Sequence, residues 1–132
     1  MIKNLMFVCQ DRTYSQIAEA WMYYLGNDSI SITSSGLSAG QISQYFINVM
    51  DEVGVSVDKS STKMLYDYNP ENFDAVISLC DRSMRLPDDW MLRKIFDEWI
   101  IPRIEESSLE SYREVRDDIR DRVDLLLMRY TV

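Results

Sequence analysis

Three short apolar runs, each followed by a stretch whose apolar residues recur at helical spacing, confine this chain to an alternating α/β layout. Residues 2–8 read Ile-Lys-Asn-Leu-Met-Phe-Val, a buried strand that ends in polar residues. Residues 29–35 alternate with period two, and residues 73–79 carry Ala-Val-Ile-Ser-Leu, the third strand. Residues 94–101 hold a short fourth strand. Between the strands, Ile17, Trp21, Tyr24 and Leu25 mark a first helix closed by Gly26 and Asn27, with Ser15 just ahead of it. Phe46, Val49, Met50 and Val53 mark a second, ended by Gly54. Residues 108–130 form the last helix, with one apolar stripe of Leu109, Tyr112, Val115, Ile119, Val123, Leu126 and Leu127. The segment 66–70 is too broken to assign. The layout predicts one domain over residues 1–132, a four-stranded parallel sheet flanked by helices on both faces. Ligands of such sheets bind beyond the C-terminal strand ends. Cys9 leaves the first strand there, and Cys80 leaves the third.

Composition removes several function classes. Fourteen Lys and Arg against 22 Asp and Glu give a net charge of −8, which disfavours nucleic acid and anionic membrane surfaces as partners. No apolar run approaches the ~20 residues of a membrane helix. The first residues show no basic leader with a small-residue cleavage site, so the expected compartment is cytoplasmic. The chain contains no histidine, which excludes Ser-His-Asp and Cys-His schemes and the common zinc sites; no metal is expected. Its two cysteines, in a reducing compartment, are better suited to buried or reactive roles than to a structural disulfide.

The segment from Phe7 to Glu19 carries the chemistry. A strand feeding a loop and then a helix N-terminus makes an anion site, because loop amides and the helix dipole both favour negative charge. The same field favours the thiolate of a cysteine at the start of the loop. Cys9 is then the candidate nucleophile and Ser15 its hydroxyl partner. Gln10, Asp11, Arg12, Thr13 and Tyr14 are the candidate oxyanion-binding residues.

The pieces Leu5-Met6-Phe7-Val8-Cys9, Ser15-Gln16-Ile17-Ala18-Glu19-Ala20 and Thr33-Ser34-Ser35-Gly36-Leu37 recur in a fixed order with further stretches. These are Val49-Met50-Asp51-Glu52-Val53-Gly54-Val55, Phe73-Asp74-Ala75-Val76-Ile77-Ser78-Leu79-Cys80, Ile95-Phe96-Asp97-Glu98-Trp99 and Arg113-Glu114-Val115-Arg116. Over nearly its full length the chain resembles arsenate reductases of the low-molecular-weight protein tyrosine phosphatase superfamily, of the cyanobacterial glutathione/glutaredoxin type. The resemblance implies that fold, a small oxyanion substrate (arsenate, phosphate or sulfate as ligand), no bound cofactor, and glutathione or glutaredoxin as electron donor. It implies Cys9 as nucleophile, Ser15 supporting the thiolate, and Cys80 or glutathione resolving the adduct.

It also exposes departures. The family's loop is cysteine, five residues, arginine, then serine or threonine; here the span is one residue short and Tyr14 stands where the arginine belongs. Arginine grips two oxygens in a planar fork, and losing that grip costs on the order of 10²–10³-fold in rate. Arg12 is the nearby cation available as a substitute. The family's Asp-Pro acid has no match in residues 99–106, where Arg103, Glu105 and Glu106 stand, and Asp81, Arg82 and Ser83 supply no second redox cysteine after Cys80. Three functions therefore stay open: arsenate reduction, reduced in strength; a non-catalytic relative acting as a binding or regulatory module; and a Cys9/Cys80 redox sensor.

Overall fold

A computed structural model of the chain describes residues 2–26, 29–38, 40, 42–57, 63–79, 85–101, 104 and 108–130. Four strands, β1 (Asn4–Cys9), β2 (Ser31–Gly36), β3 (Ala75–Ser78) and β4 (Ile95–Glu98), form one parallel sheet in the order β2-β1-β3-β4. β1 pairs with β2 from Asn4 opposite Ser31 to Cys9 opposite Gly36, and with β3 from Leu5 opposite Ala75 to Val8 opposite Ser78. Side chains alternate between sheet faces, yet Leu5, Met6, Phe7, Val8 and Cys9 are all buried, as are Ala75, Val76, Ile77 and Ser78. Both faces are therefore covered, which is why the central strands read as unbroken apolar runs.

Among the described residues the three expected helices appear as α1 (Thr13–Tyr24), α2 (Gln44–Glu52) and α4 (Leu109–Tyr130), joined by an unexpected single turn, α3 (Asp88–Met91). Segment 66–70 runs from one 3₁₀ turn, Leu65–Asp67, through extended Tyr68 and Asn69 into a second, Pro70–Asn72, capped by Asn69 accepting the Glu71 amide. α1 packs on β1, β2 and α4, burying Ile17, Ala18, Trp21 and Met22. Trp21, Trp90 and Trp99 all lie in the core. Leu109, counted on the apolar stripe of α4, is 40% exposed: the first turn of that helix overhangs the core, which begins at Val115.

α4 is fastened to the C-terminal end of α2, where carbonyls lack helical partners. Arg116, buried among these groups, donates to the Val49 carbonyl at 2.9 Å and to Glu52 at 3.1 Å, while Arg113 takes the other Glu52 oxygen at 2.6 Å. At the opposite end of the sheet, Asp74 accepts the amides of Lys3 and Asn4 at 2.9 and 3.0 Å, tying the entry of β1 to the start of β3. These two amides, with Lys94 and Lys3 nearby, hold the Asp74 carboxyl below the usual carboxylate range. The fold thus favours ionised Asp74. Its stabilisation is complete above the unfolded-state value of ~3.9 and fades as pH falls through the lowered folded value. We predict that the difference in urea midpoint between wild type and Asp74→Asn is constant above about pH 5 and shrinks below it.

Candidate functional site

The strand order places a switch point at β1: the chain steps from β1 to β2 on one side, then crosses to β3 on the other. Cys9 is the last residue of β1 and lies at that point, a buried thiol with 2% exposure. The loop from Gln10 to Arg12 turns directly into α1.

Several of its carbonyls are held by backbone amides. Those of Cys9 and Gln10 accept the Leu37 amide at 3.1 and 2.9 Å, Gln10 also takes the Ser38 amide at 2.8 Å, and the Arg12 carbonyl accepts the Gln16 amide at 2.9 Å. The Ser15 amide points at the sulfur, 3.5 Å from Sγ, and its hydroxyl oxygen lies 3.4 Å from Sγ. That hydroxyl also reaches the carbonyls of Arg12 and Ser35, at 2.9 and 3.0 Å. With the thiol protonated, the Ser15 hydroxyl proton goes to a carbonyl; once the proton has left, the hydroxyl turns to the sulfur. Ser15 thus stands where its amide and hydroxyl can both donate to the sulfur.

The helix begins earlier than its apolar spacing suggests. Ser15 lies inside the first turn, not ahead of it, because Asp11 Oδ1 accepts the Thr13 amide at 3.0 Å and Arg12 takes a left-handed conformation, φ 74°. Arginine gains no local benefit there, so the loop is held by its surroundings. A Cβ on Gly36 would stand 2.8 Å from the Arg12 amide nitrogen, and one on Gly40 2.8 Å from Asp11 Cβ. These two glycines let the loop seat against the end of β2.

The candidate oxyanion residues separate in space. Arg12 is 1% exposed, and its Nε donates to Ser34 Oγ at 3.3 Å, while Ser34 in turn donates to Glu19 at 3.1 Å. Its guanidinium turns toward β2, where Nε meets Ser34. Gln10 leans outward and donates to Ser38 Oγ at 3.1 Å. Thr13 is buried, with its amide given to Asp11. The Asp11 carboxylate, on an exposed residue, sits 3.9 Å from Sγ. Tyr14 is half-buried, its ring edge-on to Phe46 at 5.9 Å, and Phe46 rests edge-on against Tyr112 at 4.7 Å. Burial pushes the Tyr14 hydroxyl pKa up, the nearby charges of Cys9 and Asp11 add to the rise, and a hydrogen bond with the Ile104 backbone opposes it. Tyr14 therefore presents a neutral hydroxyl near the thiol at neutral pH. Cys80, Asp81, Arg82, Ser83, Arg103, Glu105 and Glu106 lie outside the described residues.

Sequence reasoning about the site overlooked Ser34, Glu19, Phe46 and Tyr112. A signal existed for the first: two serines in succession on a strand beside β1, both fully buried, call for polar partners. Among the described residues no group of acidic and cysteine side chains is arranged to hold a metal ion, and no helix is long and apolar enough to cross a membrane.

No family model matches the chain. The glutaredoxin arsenate reductase of Synechocystis is 33% identical over 129 residues, covering 97% of this chain and 98% of that relative. The chain belongs to the glutaredoxin-type arsenate reductase family. An arsenate reductase solved in its phosphate binding state superposes with a TM-score of 0.89 at 33% identity, covering 98% of this chain and 99% of that one. An arginine phosphatase from Geobacillus stearothermophilus, at 19% identity and a TM-score of 0.78, shares the fold alone. The four-stranded parallel sheet of this arsenate reductase family member is thus shared with the solved arsenate reductases, and Cys9 ends its first strand.

Proposed function

We propose that the chain reduces arsenate through the Cys9 thiolate. The observation that carries this reading is the pairing of the Cys9 sulfur with the Ser15 amide and hydroxyl, at 3.5 and 3.4 Å. Sulfur attack on the arsenic forms an S–As bond and releases water. A second thiol, Cys80 or glutathione, then attacks Cys9 Sγ; the S–As electron pair stays on arsenic, which leaves as arsenite, and a disulfide remains. Glutathione and glutaredoxin re-reduce that disulfide, which suits a cytosolic setting. No bound cofactor is needed. The inward Arg12 leaves oxyanion recognition to loop amides and the neutral Tyr14 hydroxyl, so activity below that of an arginine-bearing site follows.

Arsenate-dependent thiol oxidation with glutathione and glutaredoxin, measured for wild type and Cys9→Ser, tests the reading. Wild type turns over and Cys9→Ser falls to the protein-free background. Equal rates in the two proteins would instead leave a binding or regulatory module on the same scaffold.

A further inference from the structure

The first chemical step moves a proton as well as making a bond. In the reaction R–SH + (HO)₂AsO₂⁻ → R–S–AsO₂(OH)⁻ + H₂O, the S–As bond forms and one As–OH bond breaks. The thiol proton ends on the departing oxygen, and arsenic is not yet reduced. One group beside both sulfur and leaving oxygen serves as base and then as acid.

The geometry points to Asp11 as that group, a catalytic proton carrier within the cysteine loop; the inference rests on the arsenate reductase reading above. Asp11 Oδ1 lies 3.9 Å from Cys9 Sγ in the direction of a thiol-to-carboxylate hydrogen bond. Such contacts are long in the unliganded state and tighten on binding. Ser15, which meets the sulfur, has no exposure, whereas Asp11 is exposed, so of the two it is the one open to solvent. Its position is fixed: the Thr13 amide holds the same Oδ1 at 3.0 Å, and Gly40 gives way to its Cβ.

Charge balance favours the arrangement. Passing the proton from sulfur to carboxylate converts a thiol–carboxylate pair into a thiolate–carboxylic acid pair of the same total charge. The nucleophile is therefore unmasked without adding negative charge beside the anionic substrate, and the new carboxylic acid faces the leaving hydroxyl. Asp11 as a fixed anionic gate is the opposite role, and it predicts the opposite effect of neutralising the residue.

Asp11→Asn separates the two, because the amide oxygen still accepts the Thr13 amide while the proton-carrying function is gone. The expected result is a kcat for arsenate about 10²-fold below wild type, with KM unchanged or lower, and partial recovery of Asp11→Ala by added formate. An Asp11→Asn enzyme as fast as wild type, or faster, overturns the inference in favour of the gate. A slow Asp11→Asn enzyme with no formate recovery of Asp11→Ala overturns it in favour of a structural role. Absence of Cys9-dependent turnover in wild type is a different failure: it removes the reductase reading, and the proton carrier falls with it.

Discussion

Gly36→Ala is expected to cost about 2–3 kcal/mol of stability and to abolish most Cys9-dependent turnover, because the added methyl has nowhere to go. It would meet the Arg12 amide nitrogen at 2.8 Å, the Asp11 carbonyl carbon at 3.0 Å and the Ser38 carbonyl oxygen at 3.1 Å, all backbone atoms. No rotamer change relieves them. Moving Gly36 instead would disturb its pairing with Cys9 and the hydrogen bond its amide donates to the Lys63 carbonyl at 2.9 Å. The loop is the softer side, so strain appears there, where Ser15 and Asp11 face the sulfur. Urea unfolding reads the stability and the glutaredoxin-coupled assay reads the turnover; full activity in a stably folded Gly36→Ala would show that the loop is not seated on β2 as described. Gly40→Ala offers a contrast: part of its clash is with the Asp11 side chain, at Cβ, so Asp11→Gly relieves some of the cost of Gly40→Ala and none of that of Gly36→Ala.

The same contacts explain how far the sequence could be read. Apolar runs reveal β1 and β3 because both faces of those strands are covered, and α2 shows itself by the spacing of Phe46, Val49 and Met50 with Gly54 beyond its end. α3 escapes because one turn, Asp88–Met91, is too short to display a period. At the site, Cys9 and Ser15 are legible since strand end and helix start fix their separation. The direction of Arg12 is not. Its left-handed backbone has no compositional signal, and its side chain answers to Ser34, 22 positions away, which links it to Glu19. Proximity in sequence suggested a cation over the sulfur; buried hydrogen bonding turned it toward β2.

That inward arginine carries the second large effect. Arg12→Met is expected to destabilise the protein by about 3 kcal/mol, because it leaves the Glu19 carboxylate, 9% exposed, beside Ser34 without the guanidinium on the other side of that serine. Burial pushes the Tyr68 hydroxyl pKa up; of the charges near it, Arg12 lowers it while Asp67 and Glu19 raise it. Two further variants divide the loss. Arg12→Gly relaxes the left-handed backbone and should be up to about 1 kcal/mol less damaging than Arg12→Met. Arg12→Met combined with Glu19→Gln removes both charges, so the pair should cost less than the sum of the singles by about 1–2 kcal/mol in urea unfolding. Strict additivity would mean that Ser34 does not couple them. Function gives an independent reading of the same residue: with Arg12 buried against β2, the folded Arg12→Met protein keeps a near-wild-type KM for arsenate. A KM raised by tenfold or more would place the guanidinium on the oxyanion during turnover, and the loop would then have to break the buried hydrogen bonds through Ser34 each time it bound substrate.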